Sequence, residues 1–138
     1  MTKVFIDSSF IIELLKGNEK AIALNEKLIE TYGILLVYNH IVFSEITYQL
    51  YFKRNIPWET LNDILATFLI LEMDKKVLNI SFGFIKNYNL KPNDALILAT
   101  CKRHNINHLI SLDEDFSIPC KNEGISLLNS PETFSNLF

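Results

Sequence analysis

Residues 4–10 read VFIDSSF, three apolar residues that run into Asp7 and two hydroxyl residues before a second apolar run, FIIELL, begins at Phe10. The first run is a short buried strand and the second a helix ended by Gly17. A carboxylate at the end of a buried strand costs free energy unless something pairs with it. Two readings account for it. Asp7 and Ser8 are N-cap residue types that accept hydrogen bonds from a first helical turn. Alternatively, the strand delivers a charged group to the edge of a sheet, where it does chemistry.

The rest of the chain supplies the sheet. Beyond a second helix over residues 19 to 31, with Ile22, Leu24, Leu28 and Ile29 as its apolar positions, ILLVY at 34–38 is a branched-residue strand that reads as central. Asn39 opens a long helical stretch to Lys53, and Pro57 starts another with Leu61, Ile64, Leu65 and Phe68 at helical spacing. LILEM at 69–73 is a third strand candidate. Asp74 caps a helix to Tyr88, Pro92 starts one to His104, and HLISL at 108–112 is a strand ending at Asp113. A last strand near 125–129 precedes a tail that Pro131 keeps out of the sheet. Strands alternating with helices predict an α/β fold, a three-layer αβα sandwich with a central, mostly parallel sheet. No repeat or Pro/Gly/Ser-rich linker divides the 138 residues, so residues 1–138 read as one domain.

Bulk properties narrow the function. A formal net charge of −3 argues against a broad cationic surface that grips nucleic acid by neutralising phosphates. It does not exclude a nucleic-acid enzyme, because a bound divalent cation reverses the local sign of an acidic cleft. Cys101 and Cys120 are too few and too unpatterned for a disulfide framework or a zinc site, which favours a reducing cytoplasm. Asp7 and Glu13 interrupt the apolar N-terminus, so no signal peptide is expected, and no apolar run approaches the roughly 20 residues of a membrane span. His40, His104 and His108 have no carboxylate partner identifiable in the sequence, which disfavours histidine-driven RNA cleavage.

Four acids fall where a parallel sheet gathers functional groups, beyond the carboxyl ends of strands. Asp7 and Asp113 follow strands directly. Glu45, in HIVFSEITYQL, emerges beside Ile41, Val42 and Tyr48, which read as core-facing. Asp94, in KPNDALILATC, lies near a helix N-terminus, where an acid also complements the helix dipole. Brought within several ångströms, carboxylates repel and raise one another's proton affinity. A hard divalent cation, Mg²⁺ or Mn²⁺, relieves that repulsion and prefers oxygen ligands plus substrate phosphate oxygens.

VFIDSSFIIELL, FSEITYQL, KPNDALILATC and LISLDEDF, in this order, resemble the four motif regions of PIN-domain ribonucleases, and most the small VapC-type toxins. The resemblance covers nearly the whole chain. It implies the αβα sandwich already predicted, Mg²⁺- or Mn²⁺-dependent cleavage of RNA, and Asp7, Glu45, Asp94 and Asp113 as acidic metal-binding residues. Ser8 matches a small hydroxyl position beside the first acid, and Ser111 falls where the family often carries a Thr or Ser that orients the site. Asp113 and Asp115 both reach toward the cleft; Asp113 is preferred as ligand, with Asp115 auxiliary or capping the next turn.

The same likeness implies a cognate protein antitoxin whose C-terminal segment fills the groove with a basic side chain against the acids, and a homodimer. Phe52, Trp58 and Phe68 are apolar residues available to either surface. An RNA-processing nuclease without antitoxin, and a non-catalytic binding module whose acids merely cap helices, remain alternatives. A phosphatase of the haloacid dehalogenase type wants a second Asp two residues after the first, and this chain has Ser9 there.

Overall fold

In the computed structural model, which describes all of residues 1–138, the chain runs β1 (Thr2–Ile6), α1 (Ser8–Leu15), α2 (Glu19–Glu30), β2 (Ile34–Tyr38), α3 (His40–Ile46), α4 (Trp58–Ala66), β3 (Leu69–Ile70), α5 (Lys75–Tyr88), α6 (Pro92–Arg103), β4 (His108–Ile110), α7 (Ser117–Glu123), β5 (Ser126–Leu128) and α8 (Pro131–Ser135). A π-helical stretch, Thr47–Phe52, continues α3, and a 3-10 turn, Glu114–Phe116, precedes α7. All five strands are parallel, in the order β3-β2-β1-β4-β5. With helices on both faces this is the three-layer αβα sandwich the alternation predicts.

The helix starts follow local chemistry. Asn18, Asn39 and Asp74 each accept a hydrogen bond from the backbone N–H three residues on, at 3.0, 3.2 and 3.0 Å. Ser130 and Thr133 close a reciprocal capping box on α8, the helix into which the Pro131 tail folds. Gly17 stops α1 with φ +82°, a left-handed turn that an L side chain would strain.

The middle strand is β1, with Val4, Phe5 and Ile6 fully buried, whereas β2 lies one place out. β2 pairs with β3 only at Val37 and Tyr38, so its first three residues are half-buried. Both β3 and β4 are shorter than their apolar runs. LILEM pairs only at Leu69 and Ile70, and HLISL only to Ile110, beyond which the Ser111 amide makes one further bond, to Leu128 O. Phe68 falls beyond the end of α4 and packs edge-on against Tyr38 at 6.2 Å between ring centroids. Ile22 and Ile29 face solvent, and Ala21 takes their place in the core beside Leu24 and Leu28. Thirty-two buried apolar residues form one core along the sheet. No helix is long and apolar enough to cross a membrane.

Candidate active site

The strand order reverses between β1 and β4, and loops leaving the carboxyl ends of these two neighbours diverge to open a crevice. Asp7 sits at its floor. The Asp7 amide donates to Ile110 O at 2.9 Å, extending the β1–β4 ladder by one residue and fixing the backbone. Its position is that of the α1 N-cap, yet its side chain makes no capping bond. The carboxylate turns the other way: Oδ2 accepts from Ser9 Oγ and from Ser111 Oγ, both at 2.7 Å. Capping therefore does not explain this acid.

Ser9 is a part of the site that the sequence reading passed over. Besides donating to Asp7, its Oγ accepts from the Leu112 amide at 3.0 Å, pinning the chain after β4 to the start of α1. Ser111 is fully buried and does the same for the other acid, accepting from the Asp113 amide at 3.0 Å. Ser8 Oγ donates to Glu45 Oε1 at 2.9 Å, which draws the carboxylate of α3 over α1. A buried clasp holds α3 against α6: Asn39 Nδ2 donates to Thr100 Oγ1 at 2.9 Å, and Thr100 Oγ1 donates to Leu96 O at 2.7 Å. Its two signals, an Asn N-cap and a Thr inside an apolar helix, are legible only as local features.

Glu45, Lys91, Pro92, Asn93, Asp94 and Asp113 wall a cleft of about 410 Å³, in which every side chain but Pro92 is charged or polar. The tightest group of carboxylates is Asp94, Asp113 and Asp115, one oxygen from each lying within 4.8 Å of the others, with Asp94 and Asp113 on the cleft wall and Asp115 next to them. Asp7 and Glu45 stand outside that triad and border it. Asp115 thus joins the cluster that Asp113 was expected to lead, because Asp113 Oδ1 accepts from the Asp115 amide at 2.9 Å and tightens the chain into the 3-10 turn. Tyr48 departs from its expected core-facing place and is 55% exposed. His104 bonds Glu72 O, and His108 packs on Phe138, both away from the acids.

Electrostatics mark the cleft as too negative to stand alone. Burial pushes the Asp94 carboxyl up to about 7, and Asp113, Asp7, Glu45 and Asp115 add to the rise. Burial also raises Asp7, against the opposing hydroxyl bonds from Ser9 and Ser111. Glu45 is raised by burial too, with the Ser8 hydroxyl opposing and Asp7 and Asp113 adding. Only oxygen ligands surround the triad, and Cys101 and Cys120 lie buried elsewhere as free thiols. That donor set fits a hard divalent cation rather than zinc or copper.

The model of the PIN domain matches residues 4–122 of the chain. Ribonuclease VapC6 of Methanocaldococcus jannaschii is 35% identical over 140 residues, an alignment covering 83% of this chain and 91% of that protein. Ribonuclease VapC2 of the same organism is 33% identical over 131 residues, covering 83% and 87%. Among solved structures, VapBC2 from Rickettsia felis bound to a promoter DNA fragment superposes with a TM-score of 0.71 at 15% identity, over 94% of this chain and 99% of that one. At such identity the likeness speaks for the fold alone. The family match and the two VapC relatives carry the assignment: the chain belongs to the PIN-domain family and is of the VapC type.

Proposed function

We propose that this chain is a divalent-metal-dependent endoribonuclease that hydrolyses RNA phosphodiester bonds, and that it is the toxin of a toxin–antitoxin pair. The observation carrying this reading is the convergence of Asp94, Asp113 and Asp115 within 4.8 Å at the strand-order switch. These three, with Asp7 and Glu45 behind them, would hold Mg²⁺ or Mn²⁺. When bound, such an ion lowers the pKa of a coordinated water, helps align it for in-line attack and neutralises charge developing on the leaving oxygen.

The protein's own groups set the geometry. Ser9 and Ser111 hold Asp7 by two hydrogen bonds to one oxygen, leaving Oδ1 free of those bonds. Ser8 fixes one oxygen of Glu45 in the same way. Asp94, raised to about 7, must lose its proton to serve as a ligand. Lys91, at the cleft wall, is placed to meet a substrate phosphate.

The partners follow from the same reading. The relatives named ribonuclease VapC6 and VapC2, and neighbours solved as toxin–antitoxin complexes, support an RNA substrate and a protein antitoxin for this chain. An apolar groove of about 480 Å³, lined by Phe10, Leu14, Leu28, Leu36, Ile64 and Phe68, fits the apolar face of an antitoxin helix. Exposed Phe52 and Trp58, which both pack against Tyr51, offer a homodimer surface. The functional unit is the whole of residues 1–138, acting in a reducing cytoplasm.

The test is incubation with total cellular RNA and Mn²⁺, with the new ends sequenced, beside an Asp94→Asn control. Discrete new ends from the wild type alone are expected. Identical fragments from both proteins would overturn the reading.

A further inference from the structure

We propose that the groove beside Glu45 is a nucleobase subsite, with the Tyr48 ring as the platform on which one base next to the scissile phosphate stacks. This deepens the ribonuclease reading and rests on it. The groove has a volume of about 530 Å³, within the range of small-ligand sites, and Glu45 and Asn93 form walls of both this groove and the acidic cleft. A strand whose phosphate lies at the triad therefore runs directly into it.

Tyr48 is presented there by an unusual piece of backbone. In the π-helical stretch the Lys53 amide donates to the carbonyl of Tyr48, five residues back, at 3.2 Å. The wider turn brings the Lys53 side chain back over the ring, with Nζ 5.1 Å from the centroid. An ammonium covers one face of a ring and no more, and the side chain stays 55% exposed. An aromatic face backed by a cation suits single-stranded RNA, in which bases stack on aromatic side chains while basic groups meet the phosphates. The Ser44 hydroxyl and the Gln49 amide at the groove wall supply hydrogen-bonding groups for a base edge. Continuity with the acidic cleft, where the strand's phosphate would lie, makes a nucleotide the better fit than a peptide.

The test uses a single-stranded oligonucleotide spanning a cleavage site mapped with the wild type, and versions carrying an abasic residue on either side of the cut. With the wild type, one abasic position raises KM roughly tenfold, the worth of one base–aromatic stack, and leaves kcat within about twofold. Tyr48→Ala shows the same loss on the intact oligonucleotide and no further loss on the abasic one, while Tyr48→Phe, which keeps the ring, behaves as wild type. An unchanged KM for Tyr48→Ala on the intact strand, or an abasic penalty kept in full by that variant, overturns the subsite. Either result leaves the ribonuclease reading standing, because that reading fails only if wild type and Asp94→Asn yield the same fragments.

Discussion

Asp7 and Asp94 meet at one crevice and are held there by opposite means. Asp7 is 3% exposed and satisfied from within: two serine hydroxyls donate to it, and its backbone is tied into the sheet. Asp94 lies half-buried near the start of α6 among Asp113, Asp7, Glu45 and Asp115, which all raise its proton affinity. One acid has its hydrogen bonds supplied by the fold, although burial still raises its proton affinity. The other waits for whatever fills the cleft, so the fold depends on the first and ligand binding on the second.

The largest expected effect comes from separating these roles. Asp94→Asn should lower RNA cleavage by at least about 100-fold, since a metal ligand is lost, yet raise the melting temperature of the metal-free protein by relieving repulsion. Asp7→Ala should also abolish cleavage but lower the melting temperature, because Ser9 and Ser111 lose their shared acceptor, a loss of about 1–3 kcal/mol. Calorimetric melts without metal read the two signs. Equal shifts for both variants would erase the distinction.

The pH dependence is next in size. Asp94 has a folded-state value of about 7, above its ordinary 3.8. Between these values the folded protein keeps a proton that the unfolded chain releases, so metal-free stability falls as pH rises through that window and levels off above about 7. Mn²⁺ should reverse the trend. Its affinity should weaken by up to about tenfold per pH unit below 7, with proton release seen as a buffer-dependent binding heat.

Smaller effects divide the serines from the outer acid. Ser111→Ala removes a donor to Asp7 and the acceptor of the Asp113 amide, and should cost about 1–3 kcal/mol on denaturant unfolding. Asp115→Asn touches an exposed side chain, so its unfolding midpoint should stay near wild type while Mn²⁺ affinity drops. A destabilised Asp115→Asn with unchanged metal affinity would place that residue with Asp7 rather than with Asp94.

Much of this was legible in the chain. The apolar run into Asp7, the Asn39 and Asp74 caps and Pro92 ahead of Asp94 are local signals, and the structure keeps each where the sequence puts it. What stayed hidden depends on geometry that periodicity does not encode. Ser9 reads as an ordinary first-turn residue, and only folding brings it to Leu112, 103 positions away. Asp115 enters the triad through a 3-10 turn set by a single Asp113 hydrogen bond. Tyr48 was expected in the core because an α-helix was assumed to run on, whereas the π-helical turn leaves it in solvent. β2 read as central on composition alone, but strand order is decided by pairing across the sheet, and β1 takes that place.

The central claim is most directly tested by titrating Mn²⁺ into the wild type and into Asp94→Asn at pH 8 and following the heat of binding. Saturable binding to the wild type that the single substitution removes is the predicted result. Equal binding by both proteins, or none by either, would contradict a metal centre built on these acids.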